Sequence, residues 1–220
     1  MSKHVAVLMG GWSAEREVSL DSGRAVAEAL AARGYAVDTV DAGHDVAAAL
    51  AALEPHPDAV FNALHGRWGE DGNVQGVLNI LGLPYTHSGL LASAMAMDKV
   101  VAKRLFAAAG ITCPEGVVVN IEAVLTGHVM EPPYVVKPIN EGSSVGVHIV
   151  MAGDNYPGID RAAWKFGDQV LVERFIPGRE LTVVVMGDKS LGVTELQPHQ
   201  GFYDYEAKYT DGKTTHLCPA

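Results

Sequence analysis

The 220-residue chain carries 16 Lys and Arg against 26 Asp and Glu, a formal net charge of −10, and is 48% apolar. Such a length allows two domains with cores of their own, and the acidic balance argues against a general affinity for nucleic acid or anionic membrane, which rests on counterion release by Lys and Arg. Cys113 and Cys218 lie far apart, without Cys-x-x-Cys or Cys/His metal spacing, and read as incidental thiols in a reducing compartment.

The N-terminus runs straight into an apolar strand, Val5 to Met9, with no signal-peptide core, and nowhere do 18 apolar residues run together; the chain is read as cytoplasmic. Gly10-Gly11 breaks the strand into a polar loop, Trp12 to Glu17. Ser19 to Arg33 is then expected to be helical, with Gly34 as its stop. Tyr35 to Val40 reads as a strand, Asp45 to Leu53 as a helix ended by Pro55, and Ala59 to Asn62 as a third strand. Val74 to Leu81 follows as a helix, Pro84-Tyr85 as a short strand, and Ser88 as the cap of a small helix. Alternating strands and helices imply a parallel, Rossmann-like α/β sheet.

A composition shift at Met95-Ala96-Met97 places a domain boundary near residue 96. Asp98 to Ala109 is expected to be a helix with Val101, Leu105 and Ala108 facing inward. Beyond it the pattern becomes α+β on an antiparallel sheet, with strands at Gly116 to Val119, Tyr134 to Lys137, Val145 to Val150 and Gln169 to Phe175, and a short helix near Asp160 to Phe166. Glu180 to Met186 and Ser190 to Leu196 form a hairpin across Gly187-Asp188. A polar, aromatic loop, Gln197 to Gly212, leads to the end of the chain.

The chemistry gathers in a few stretches. In parallel sheets, ligands collect at the carboxyl ends of strands, which here means the loops Gly10 to Glu17 and Leu64 to Gly72; G-x-G-x-x-G is missing after the first strand, so nicotinamide binding is disfavoured. Between two short strands, Glu141-Gly142-Ser143-Ser144 offers backbone N–H groups and hydroxyls to an anion, with the Lys137 ammonium beside them. On these residues alone the hairpin is either a phosphate cradle or a surface turn with a neighbouring Lys. Glu15 is either a ligand-binding acid or a solvated one, and His65 either a ligand contact or a structural histidine.

Four stretches in order make a specific set: Gly10-Gly11-Trp12-Ser13-Ala14-Glu15-Arg16-Glu17-Val18-Ser19, Leu64-His65-Gly66-Arg67-Trp68-Gly69-Glu70-Asp71-Gly72, Lys137 to Gly146, and Phe202-Tyr203-Asp204-Tyr205-Glu206-Ala207-Lys208-Tyr209. Together they resemble the D-alanine–D-alanine ligases of the ATP-grasp superfamily. The resemblance implies an N-terminal substrate-binding domain over residues 1–96, a central ATP-grasp subdomain over 97–178, and the start of a C-terminal ATP-grasp subdomain over 179–220. It implies ATP-dependent joining of two D-alanines through an acyl phosphate, for peptidoglycan synthesis, by a homodimer with no nucleic-acid or membrane partner. Glu15 would receive the ammonium of the first D-alanine, and His65 would lie near its carboxylate. Lys99, Lys137 and Lys208 would serve ATP, Glu173 the adenine and Glu180 the ribose hydroxyls. Glu15, Ser143 and Tyr209 would form a catalytic hydrogen-bonded set.

ATP and Mg²⁺ are the implied cofactors, and the family's metal ligands fall beyond residue 220; Glu206 and Asp211 are the carboxylates that follow Tyr205. The 220-residue chain taken alone is therefore expected not to ligate at a useful rate, and its Glu180 to Leu196 hairpin to leave an apolar edge open. Two alternatives stand beside this reading: a non-catalytic nucleotide-binding fragment, and an ATP-grasp ligase for another carboxylate and amine. A strand-end lysine is ordinarily solvated, so removing Lys137 is expected to weaken ATP binding far more than folding.

Overall fold

The computed structural model describes residues 2–155, 158–199, 208–210 and 212–220. They fall into two compact units, the first made of residues 1–113 with Ile139–Gly142, the second of Pro114–Pro138 with Ser143–Ala220.

The first unit is built on three parallel strands, β1 (His4–Met9), β2 (Ala36–Asp41) and β3 (Ala59–Asn62), in the order β2-β1-β3. β1 is central because both its faces are apolar: Val5 to Leu8 are all buried. Helix α1 (Arg16–Ala32) begins earlier than the sequence suggests, taking up Arg16 and Glu17. It lies close on β1, since a Cβ at Gly23 would stand 2.5 Å from Met9 Cβ. Helices α2 (Val46–Ala51) and α3 (Asn73–Leu81) flank a core that includes Leu8, Val40, Leu53, Val60, Leu64 and Leu78.

Helix α4 (Leu90–Met97) is capped at Gly89 rather than Ser88, whose carbonyl instead accepts from Ser93 Oγ. Helix α5 (Lys99–Ala108) starts on Asp98, which accepts from the N–H groups of Val100 and Val101. The sequence divides the chain near residue 96, whereas α5 belongs to the first compact unit and its Lys99 N–H reaches the Ile139 carbonyl. Its expected inward stripe also differs. Ala102 is the buried residue and Leu105 is 45% exposed, because packing is concentrated in the first turns.

The second unit holds two antiparallel sheets. One has the order β4-β7-β5-β6, from β4 (Gly116–Asn120), β5 (Tyr134–Pro138), β6 (His148–Val150) and β7 (Gln169–Arg174). Its core gathers Ile121, Tyr134, Val136, Val150, Val170 and Val172 with Trp164. Between β4 and β5 runs α6 (Ile121–Thr126), capped by Asn120, which the sequence left unassigned. β6 is shorter than expected, because residues 143–146 turn instead of extending and Val147 N–H bonds to the Ser144 carbonyl. Asp160 to Phe166 is a turn closed by the Asp160 carbonyl and carboxylate rather than a helix, and Trp164 donates its indole N–H to Gly167 O at 2.7 Å.

The other sheet is β8 (Glu180–Met186), β9 (Lys189–Pro198) and β10 (Thr214–Leu217), in the order β10-β9-β8. β8 and β9 pair as expected, with a register shift between Val184 and Val185. Every residue of β8 is exposed, five of them large and apolar. β10 falls where only a loop and chain end were expected.

Candidate functional site

In the first unit the site is made by the two loops at the carboxyl ends of β1 and β3. Ser19, buried on α1, donates to the Ala63 carbonyl at 2.7 Å and accepts from Gly10 N–H at 2.9 Å, tying the loops together at their roots. Ser13 repeats this at their tips: its hydroxyl donates to the His65 carbonyl at 2.8 Å and accepts from Glu15 N–H at 3.1 Å. Below them Asn62 and Gln75 both donate to the Gly69 carbonyl at 2.8 Å. Glu70 accepts from Gly66 N–H at 2.6 Å, and Asp71 from Trp68 N–H at 3.0 Å. A loop this thoroughly hydrogen-bonded is a rigid mount for ligand-binding groups.

Glu15 sits on that mount and is 4% exposed. Space for its carboxylate is left by two glycines: a Cβ at Gly66 would stand 2.6 Å from Oε2, and a Cβ at Gly142 would stand 2.8 Å away. His65 is half-buried, its Nε2 3.3 Å from Ser22 Oγ. On the outer side of the loop, Arg16 makes a two-toothed ion pair with Asp41 at 2.8 and 2.6 Å, which holds the Asp41 carboxyl below its ordinary pKa.

Lys99 belongs to the same unit, its ammonium 2.5 Å from the Glu141 carbonyl. Burial pushes the Glu141 carboxyl above the ordinary range, opposed by the positive charges of Arg67 and Lys99 and assisted by the negative charge of Glu15. Four charged groups, Glu15, Glu141, Arg67 and Lys99, thus share one electrostatic neighbourhood. The sequence reading assigned no role to Glu141 or Arg67, although an acid inside a Gly/Ser loop was a visible signal.

The second unit brings together most of the remaining expected residues. Lys137 on β5 is ion-paired with Glu173 on β7, their side chains 23% and 9% exposed, so Lys137 is not the solvated strand-end lysine that was expected. The shared sheet explains this: Lys137 lies opposite Leu171, which puts Glu173 two residues along on the same face. Ser143, at φ 53°, holds its hydroxyl 3.2 Å from Tyr209 Oη and 3.3 Å from Lys208 Nζ. Partial desolvation raises the Glu180 carboxyl, opposed by the Lys208 ammonium. Of the expected set Glu15, Ser143 and Tyr209, the last two are therefore joined within the second unit, while Glu15 lies in the first. The Phe202 to Ala207 part of the motif, and Asp211, lie outside the described residues.

Ammonium groups around a glycine- and serine-rich turn, with a carboxylate able to accept from two hydroxyls, fit a nucleoside triphosphate. The donor set for a metal is another matter: among the described residues no group of three or more His, Cys, Asp or Glu side chains is gathered to hold an ion. No described helix is long and apolar enough to cross a membrane.

Comparison with known proteins gives consistent matches. The D-ala D-ala ligase C-terminus family matches residues 109–220, and the D-ala D-ala ligase N-terminus family matches residues 41–88. A D-alanine–D-alanine ligase of Parvibaculum lavamentivorans is 60% identical over 221 residues, an alignment covering 100% of this chain and 71% of that protein. One of Rhodospirillum rubrum is 58% identical, with 100% and 73% covered. Among solved structures, the D-alanine–D-alanine ligase of Bacillus anthracis complexed with ATP superposes with a TM-score of 0.71 at 30% identity, over 99% of this chain and 71% of that one. D-alanyl-alanine synthetase A of Vibrio cholerae gives a TM-score of 0.74 at 25% identity, over 98% and 74%.

Proposed function

The chain belongs to the D-alanine–D-alanine ligase family, and from that premise we propose how its own residues divide the work of ATP-dependent D-alanyl-D-alanine synthesis for peptidoglycan. The reaction has two steps. A carboxylate oxygen of the first D-alanine attacks the γ-phosphorus of ATP, releasing ADP and leaving an acyl phosphate. The amine of the second D-alanine, having given up a proton, then attacks the acyl carbon, and phosphate departs as the peptide bond forms. Mg²⁺ accompanies ATP in this family and neutralises charge on the transferred group; among the described residues no group of three or more His, Cys, Asp or Glu side chains gathers to hold it.

Glu15 receives the ammonium of the first D-alanine. The observation that carries this is its burial in a cradle of two glycines at the carboxyl ends of the strands, a place where an acid is stable as a partner for a cation. His65, held by Ser13 through its carbonyl, lies beside that amino acid's carboxylate. Lys137 and Lys208 face the triphosphate, with Lys99 anchoring the near end of the phosphate loop through the Glu141 carbonyl. Glu173 orients Lys137 and borders the adenine, and Glu180 takes the ribose hydroxyls. Ser143 and Tyr209, already hydrogen-bonded, complete a set with Glu15 once substrate is bound, holding the attacking groups and excluding water from the acyl phosphate.

In this reading residues 1–96 serve the first amino acid, 97–178 the nucleotide, and 179–220 the ribose and the closing loop. The enzyme is a cytoplasmic homodimer whose acidic charge leaves it without nucleic-acid or membrane partners. A screen of amino-acid acceptors, read as ADP and dipeptide formed together, tests the assignment. D-alanine in both positions is the expected best pair; a strong preference for a different acid and amine would make this another ATP-grasp ligase.

A further inference from the structure

Against the Gly10 to Ser13 and Leu64 to Gly69 loops, the first unit contains a cavity of about 270 Å³. It opens at the carboxyl ends of the parallel strands, between β1, α2 and α3, where open α/β sheets ordinarily take their ligands. Its walls are mainly the carbon of Leu8, Leu50, Leu53, Leu64, Val77 and Leu78, and Ser13, His65 and Asn73 add polar edges. Trp12 and Trp68 also line it, ring centroids 5.5 Å apart, and His44 stacks on Trp12.

Three observations distinguish this space from a packing defect. Trp68 adopts φ 72°, a left-handed conformation that costs a bulky residue about 1–3 kcal/mol, and its indole is thereby held beside Trp12 on the cavity wall. The volume exceeds the roughly 150 Å³ at which a dry apolar cavity already binds benzene. The cavity's carbon lining far exceeds the one methyl group that D-alanine presents. We propose that this cavity is a second, regulatory ligand site for a small, neutral, flat aromatic molecule of about two fused rings, stacked against Trp12 and Trp68.

Neutrality follows from the one cation on the lining. The Arg67 guanidinium lies 5.3 Å from the Trp68 ring centroid and acts electrostatically on Glu141, so its charge is answered within the protein. Coupling to the amino-acid site follows from the shared wall. Trp12 precedes Ser13, whose hydroxyl positions both the His65 carbonyl and the Glu15 N–H. A ring that displaces Trp12 loosens that pair, so occupancy weakens D-alanine binding.

The test uses 2-naphthol as probe and the indole N–H signals of the three tryptophans by NMR, which require no ligase activity and so stand or fall independently of the proposed function. Saturable shifts of the Trp12 and Trp68 signals, with Trp164 unmoved, are expected. Ala49→Leu, which fills the cavity from α2, should abolish them, with Val77→Leu as a second filling variant should the first not fold. In the ligase assay, run on this chain continued by the remaining segment of a relative, a saturating probe should raise KM for D-alanine about fivefold or more and leave it unchanged when the filling substitution is present. The inference is overturned by absent shifts, by shifts that persist in both filled variants, or by saturation that leaves KM for D-alanine untouched.

Discussion

Lys137 at the end of β5 is ion-paired with Glu173 of β7, and both side chains are largely buried. This relationship changes what a lysine substitution should do. Truncating one member of a buried pair withdraws a charge partner from the other in a poorly solvated place, which costs stability as well as function. Lys137→Met should therefore lower folding stability by about 1–3 kcal/mol in urea denaturation and also weaken ATP binding. Wild-type stability with lost ATP affinity would return Lys137 to the role of a simple phosphate contact.

The Ser143–Tyr209 hydrogen bond should matter to turnover rather than to folding, since it joins two partly exposed side chains. Tyr209→Phe keeps the ring and deletes the bond. In this chain continued by the remaining segment of a relative, a fall in kcat of about tenfold, equivalent to roughly 1.4 kcal/mol of barrier, with an unchanged Tm is expected. A variant with wild-type kcat would remove Tyr209 from the proposed set.

Glycine 142 makes room for Glu15, with 2.8 Å from its ideal Cβ position to Oε2. Gly142→Ala must push the carboxylate aside, but Gly142, unlike Gly66 at φ +67°, lies outside the left-handed region, so its backbone accepts alanine. Steady-state kinetics of the same continued chain should show KM for D-alanine raised more than KM for ATP. Gly66→Ala adds backbone strain and should lower stability as well. Equal effects of Gly142→Ala on the two substrates would show that Glu15 is not the ammonium partner.

The raised carboxyl of Glu180 gives ATP binding a pH dependence with a definite sign. Only the ionised form accepts from both ribose hydroxyls, so affinity should fall on acidification at a higher pH than for an ordinary carboxylate near about 4.3. Folding stability runs the other way for this group: because its folded pKa is raised, its favourable contribution is present below the unfolded pKa and lost as pH rises through the folded one. Glu180→Gln should flatten the ATP profile, as measured by titration between pH 4 and pH 8 (about the span in which a raised carboxyl titrates). An unchanged profile would assign the titration elsewhere.

Much of the fold was legible because its information is local. The apolar run Val5 to Leu8 must be buried on both faces, and Gly187-Asp188 closes the β8–β9 hairpin as its turn chemistry suggests. What escaped is set by partners distant in sequence. β10 exists because Thr214 to Leu217 pairs with Glu195 to Pro198. Asp160 to Phe166 has helical spacing, but burial of Trp164 and its bond to Gly167 O favour a turn. At the site, Glu15 and His65 could be picked out from their motifs, whereas the meeting of Arg67, Lys99 and Glu141 depends on bringing residues 139–142 into the first unit. The Lys137–Glu173 pair was hidden for a similar reason, since it needs the β5–β7 register.

The most direct test of the central claim is product analysis with ATP, Mg²⁺ and D-alanine, on this chain continued by the remaining segment of a relative such as that of Parvibaculum lavamentivorans. ADP, phosphate and D-alanyl-D-alanine should appear in equal amounts, and Glu15→Gln should abolish the dipeptide while ATP still binds. Dipeptide formation that survives Glu15→Gln, or ADP release without any dipeptide in the unsubstituted protein, would contradict the account.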